Sequence, residues 1–125
     1  CCNSLVPGDH GTTYGGNPLV TSAVNAVFDI YEEENILENV KNVGAYLEEK
    51  LDELVNENKN IVLRRGKGLM QGLVLKTPVG DTINKAIEKG LLVISAAGNV
   101  LRLLPPLIIT KENVDEMINI LKECI

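Results

Sequence analysis

A chain of 125 residues, 45% hydrophobic and 23% charged, is the size of one globular domain and long enough to bury a real core. Its formal net charge of −5 argues against a nucleic-acid partner, because affinity for the phosphate backbone rests on Lys and Arg. No apolar run reaches the length of a membrane span, and with no Trp and 3% aromatics the core has to be aliphatic.

The chain opens on Cys1-Cys2, without a Met or a signal peptide, which reads as a cut made inside a longer protein. With Cys124 these cysteines offer neither zinc spacing nor a disulfide framework, so reduced thiols in a cytoplasmic protein are expected. Gly8 to Pro18 then reads "GDHGTTYGGNP", a loop with four glycines and two adjacent threonines.

Asn17-Pro18 predicts a helix start, since Asn caps free N–H groups and Pro tolerates the first helical position. Leu19, Val20, Ala23, Val24, Val27, Ile30 and Tyr31 recur at three and four, giving that helix one apolar face. Glu32-Glu33-Glu34 is read as solvated surface around a bend, because three successive helical carboxylates cannot converge on one ion. Asn35 with Glu38 resembles a capping box for a second helix. Its stripe is Ile36, Val40, Val43, Leu47, Leu51 and Leu54, with Glu48, Glu49, Asp52 and Glu53 facing water.

After Asn60 the period changes. Ile61 to Leu63 and Leu69 to Leu75 are apolar runs bracketed by glycines and predict strands. Asp81 to Lys89 predicts a helix stopped by Gly90, and Leu91 to Ser95 with Asn99 to Leu104 a hairpin about Gly98-Asn99. Pro105-Pro106 ends pairing, and Thr110 caps a last helix with Val114, Met117, Ile118 and Leu121 on one face. The order predicts an α+β fold: two long helices, then a small, mainly antiparallel sheet of about four strands covered by helices.

Two features suggest chemistry. Adjacent hydroxyls, glycines and a following helix N-terminus suit an anion, although the loop matches neither the Walker spacing nor the dinucleotide fingerprint. On these grounds it is either a phosphate loop or an ordinary Gly-rich turn. Arg102 stands alone among aliphatic residues in a strand ending at Pro-Pro, either snorkelling surface or an anchor for a carboxylate.

The wording carries a resemblance. "PGDHGTTYGGNP" before an apolar helix, "RRGKGLMQGLVL", and "GNVLRLLPPLIITKENVDEMINIL" resemble, in the same order, three motifs of the class III, pyridoxal-phosphate-dependent aminotransferases. Within that family the wording is nearest to the acetylornithine subgroup, with the ornithine subgroup next. The resemblance implies the C-terminal part of a fold-type I enzyme: an interface loop over 1–17, a linking helix over 18–34 and a small domain over 35–125.

It also implies roles. Thr13 matches the hydroxyl that binds the phosphate of pyridoxal 5'-phosphate across a homodimer interface, and Thr12 a position lying against the substrate. Arg102 matches the arginine that receives the substrate α-carboxylate. The implied small-molecule substrates are N-acetylornithine and 2-oxoglutarate, in arginine synthesis. The Schiff-base lysine lies upstream of the "TTYGGNP" motif in the family, and none of the nine lysines here, Lys67 included, occupies its motif. The isolated chain is therefore expected to be inactive, with no catalytic residue of its own, no metal, and His10 a polar loop residue. A reading of another class is a free-standing regulatory α+β module that binds a small anion or amino acid.

Overall fold

The computed structural model describes residues 8, 9 and 11–125; the expectations for Cys1, Cys2 and His10 lie outside them. The chain forms two compact units, Cys1–Asn35 and Ile36–Ile125.

The first unit is built on helix α1, Pro18–Glu33. Asn17, in extended conformation, accepts from the Val20 N–H, and Pro18 takes the first helical position, as the sequence predicts. The helix ends at Glu34, whose N–H turns back to the Ile30 carbonyl. Its apolar face is intact, yet none of its residues is buried.

The second unit contains α2 (Ile36–Glu57), β1 (Ile61–Lys67), β2 (Met70–Leu75), α3 (Gly80–Glu88), β3 (Ile94–Ala96), β4 (Val100–Leu103) and α4 (Lys111–Cys124). The sheet runs β1-β2-β4-β3 with every pairing antiparallel, so the α+β expectation holds. Alternate strand residues point to one side, where Ile61, Leu73, Leu75, Leu101 and Leu103 meet Leu47, Leu51 and Leu54 of α2 and Val114, Ile118 and Leu121 of α4. This aliphatic layer is the core, and the helical stripes read from the sequence supply its other half.

Three local expectations are corrected. Asn35 and Glu38 form no capping box: Asn35 adopts φ 51° and its N–H donates to Glu32, while the Glu38 carboxylate accepts from Asn42 and pairs with Lys41. Leu91 to Val93 does not pair, because the Leu91 N–H is still bonded to Ala86 at the end of α3, and β3 begins only at Ile94. β1 is also longer than its apolar start, because it continues through Arg64 and Arg65 to Lys67. At the C-terminal end Thr110 does cap α4, in a reciprocal box with Asn113.

The β1–β2 hairpin needs Gly66. Its φ is 148°, and a Cβ there would overlap the Met70 carbonyl oxygen and crowd the Gln71 side chain. Gly66→Ala is expected to destabilise the domain by at least about 2 kcal/mol, from backbone strain plus overlap. A urea-unfolding midpoint equal to wild type would contradict it.

Candidate functional site

The loop over 11–17 is tied by its own side chains. Thr12 Oγ1 accepts from the Gly15 N–H at 3.3 Å, and Asn17 Nδ2 donates to the Tyr14 carbonyl at 2.6 Å. A Cβ at Gly15 would meet the Thr12 methyl group and displace that side chain from its turn. Thr13 is exposed, and its hydroxyl makes no hydrogen bond among the described residues. Of the two threonines, Thr12 is oriented by the turn as an acceptor, and Thr13 makes no hydrogen bond among the described residues.

The helix end behind them is a poorer anion site than the sequence suggested. Pro18 has no N–H, the Val20 N–H is held by Asn17 Oδ1 at 3.1 Å, and the Thr21 N–H is bonded to the Asn17 carbonyl. Among the described residues only the Leu19 N–H of that first turn lacks a partner. The residues fit a phosphate group through a free hydroxyl and loop backbone, not through an open helix terminus.

Arg102 lies in the other unit, in the middle of β4. Register places it opposite Gly72 of β2 and Ile94 of β3, with Gly72 in turn opposite Arg65 of β1. Directly opposed residues share a face, so Arg65, Gly72 and Arg102 form one row on the side of the sheet away from the core. An open concavity of about 450 Å³ lies there, with Met70, Ala96 and Val100 among its walls. Arg102 is half-buried, and its Nη2 reaches Met70 Sδ at 3.9 Å. It has no carboxylate partner among the described residues. A guanidinium at the floor of an apolar trough, with no counter-ion, is chemically an acceptor site for a carboxylate.

The core face of the same hairpin carries what the sequence reading missed. Arg64 forks onto Asp52 of α2, with Nε to Oδ1 at 2.7 Å and Nη2 to Oδ2 at 3.0 Å. Its Nη1 also donates to Gln71 Oε1 at 3.1 Å. Gln71, 2% exposed, donates from Nε2 to Glu48 at 3.1 Å and to the Gly68 carbonyl at 2.7 Å. Asp52 and Glu48, expected to face water alone, therefore fasten the hairpin to α2. The hydrogen bond from Arg64 holds the Asp52 carboxyl below its usual range, and the same bond raises Arg64. The available signal was the pair Glu48 and Asp52, one helical turn apart, with an arginine at position 64 to meet them.

Compared with known families, residues 1–125 match the aminotransferase class III model. The chain belongs to the class III aminotransferases, a pyridoxal-phosphate-dependent family. It is 50% identical over 120 residues to an acetylornithine aminotransferase of Aquifex aeolicus, covering 96% of this chain and 30% of that protein. To the acetylornithine aminotransferase of Bacillus subtilis it is 43% identical, covering 98% of this chain and 31% of that protein. Among solved structures, Plasmodium falciparum ornithine δ-aminotransferase superposes with a TM-score of 0.85 at 36% identity, covering 96% of this chain and 32% of that one. The acetylornithine aminotransferase of Elizabethkingia anophelis superposes with a TM-score of 0.84 at 29% identity, covering 99% and 32%. The chain thus spans about a third of the length of these relatives.

The Asp52 clamp gives a pH-dependent prediction. A carboxylate held below its ordinary pKa contributes stability that is present above about pH 3.9 and lost as pH falls through the lowered folded-state value. Asp52 is half-exposed, so the contribution is small, about 0.5–1 kcal/mol. Asp52→Asn is expected to lower stability by that amount at pH 7 and by less at pH 3. Urea unfolding at both pH values checks this, and an equal loss at both would remove the ion pair as its cause.

Proposed function

We propose that this chain is the C-terminal part of an enzyme that transfers the amino group of N-acetylornithine to 2-oxoglutarate, serving arginine synthesis as a cytoplasmic homodimer. The observation that carries the reading is Arg102: an unpaired guanidinium in an apolar trough, within a chain 50% identical to an acetylornithine aminotransferase. Both the amino donor and the oxo-acid acceptor bring an α-carboxylate, so one anchor serves both half-reactions. Ornithine as donor is the second reading, favoured by the Plasmodium ornithine aminotransferases at 35–36% identity.

Pyridoxal phosphate, when bound, supplies the electron sink for moving the amino group. The residues of this chain hold and orient. Thr13 offers its free hydroxyl to the cofactor phosphate, in the neighbouring protomer of the dimer. Thr12, oriented by the Gly15 N–H, lies against the substrate. Arg102 grips the α-carboxylate through two parallel hydrogen bonds and so fixes which substrate bond stands ready to break.

In the complete enzyme, Thr13→Ala is expected to weaken cofactor retention by about 1.5–3 kcal/mol, roughly ten- to a hundredfold. The rate at saturating cofactor should change far less. Cofactor titration followed by fluorescence measures the first and steady-state kinetics the second; unchanged affinity would remove Thr13 from the phosphate site.

Arg102→Lys should lower kcat/KM by on the order of 2–4 kcal/mol with donor and acceptor alike, because lysine keeps the charge and loses the fork. Cofactor affinity should survive. Near wild-type values for both substrates would mean that Arg102 is no anchor. Neither assay should register with this chain alone, because none of its nine lysines falls in the family's lysine motif.

A further inference from the structure

The chain holds two methionines, and their surroundings are opposite. Met117 of α4 is 7% exposed and belongs to the aliphatic core. Met70, at the start of β2, is 52% exposed. It stands two residues before Gly72, on the same open face of the sheet, and so lies diagonal to Arg102 across the β2–β4 pair. Diagonal neighbours on one face are about 7–8 Å apart, a gap that two long side chains close. Here they close it, with Met70 Sδ 3.9 Å from Arg102 Nη2. The residues directly opposite Arg102, Gly72 and Ile94, have no polar side-chain atom to offer. Among the described residues the sulfur is therefore the side-chain acceptor that the guanidinium has.

A thioether is a weak acceptor, and a carboxylate displaces it from a guanidinium readily. A sulfoxide is different: it carries an added oxygen with partial negative charge, on the very atom that already touches Arg102. Lys67, the register partner of Met70, lines the same concavity, so that oxygen would have a cation on either side. A trough open to a substrate carboxylate is also open to a peroxide, which is smaller.

We propose that Met70 is an oxidation site that controls the carboxylate anchor: its sulfoxide oxygen accepts from Arg102 Nη2 and competes with the substrate α-carboxylate. This rests on the aminotransferase reading and gives the same site a second chemical state. A sulfur lone pair attacks one oxygen of a hydroperoxide. The S–O bond forms as the O–O bond breaks, and the departing oxygen takes up a proton and leaves as water or an alcohol. Sulfur gives up two electrons and the peroxide gains them. Two thiols reverse the step, removing the oxygen as water while they close to a disulfide. Met117, shielded by the core, stays reduced.

The test is hydrogen peroxide treatment of the complete enzyme, with peptide mass spectrometry for sulfoxide at Met70 and Met117 and kinetics of each half-reaction. With Met70 oxidised, KM for amino donor and oxo-acid acceptor should rise roughly tenfold, the lower end for a hydrogen bond to a charged group. Cofactor affinity and kcat should move far less, and methionine sulfoxide reductase with dithiothreitol should restore KM. Met70→Leu, compared with its own untreated form, should show no such rise, which separates Met70 from other oxidisable residues of the complete enzyme. A rise that persists in Met70→Leu, sulfoxide at Met70 without a rise, or oxidation of Met117 before Met70 would overturn the proposal. Untreated Arg102→Lys keeps the two readings apart. If that variant loses nothing with either substrate, the carboxylate site itself fails; if it loses both while oxidation of Met70 changes nothing, only the oxidative control fails.

Discussion

The open face of the sheet is held in register by the packing on its other face. Gln71 uses its whole amide on that side, accepting from Arg64 and donating to Glu48 and to the Gly68 carbonyl. A buried amide left half satisfied costs about 1–3 kcal/mol, so the hairpin cannot slip along α2 without losing most of these bonds. Gly44 of α2 removes the last obstacle, because a Cβ there would stand 3.2 Å from the Gly68 backbone. A one-residue slip would also turn every leucine of β2 outward. Held against both, the chain has one register, and that register puts Arg65, Gly72 and Arg102 in a row.

Consecutive arginines show how strand geometry divides labour. Arg64 and Arg65 differ by one residue and so face opposite sides of the sheet. One is desolvated against α2 and needs a bidentate carboxylate to be tolerated there; the other stays in solvent and needs none. Reversing the roles would bury an unpaired cation, which costs far more than leaving one in solvent. The same logic applies in the loop. Thr12 accepts from the Gly15 N–H and is oriented by it, whereas its neighbour makes no hydrogen bond among the described residues.

Much of this was legible in the sequence because hydrophobic period and punctuation act locally. The stripes of α2 and α4, the Asn17-Pro18 start and the Thr110 cap all follow from residues within one or two turns. Arg102 was legible as an isolated charge in an aliphatic strand. The Asn35 cap failed because the residue took the left-handed conformation of the preceding turn, a choice side-chain type alone does not decide. Leu91 to Val93 failed because the end of α3 claimed its first N–H before any strand could. The Asp52–Arg64 fork, twelve residues apart, and the row through Gly72 depend on strand order, and no local pattern encodes that.

Helix α1 marks the boundary between pattern and partner. Its apolar stripe was read correctly, yet Leu19 remains 80% and Phe28 62% exposed, and no residue of the helix is buried. Periodicity states which face of a helix is apolar; it says nothing about what covers that face. A concavity lined by Leu19, Val20, Val24, Val27 and Phe28 is costly to leave in water at about 25 cal/mol per Å². The second unit also exposes apolar side chains, Leu92 and Ile108 among them, but it has a core that closes on itself. Burial is therefore distributed unequally along the chain. Residues 36–125 fold around their own leucines and hold Arg102 in fixed register, whereas α1 presents an apolar stripe that its own unit does not bury.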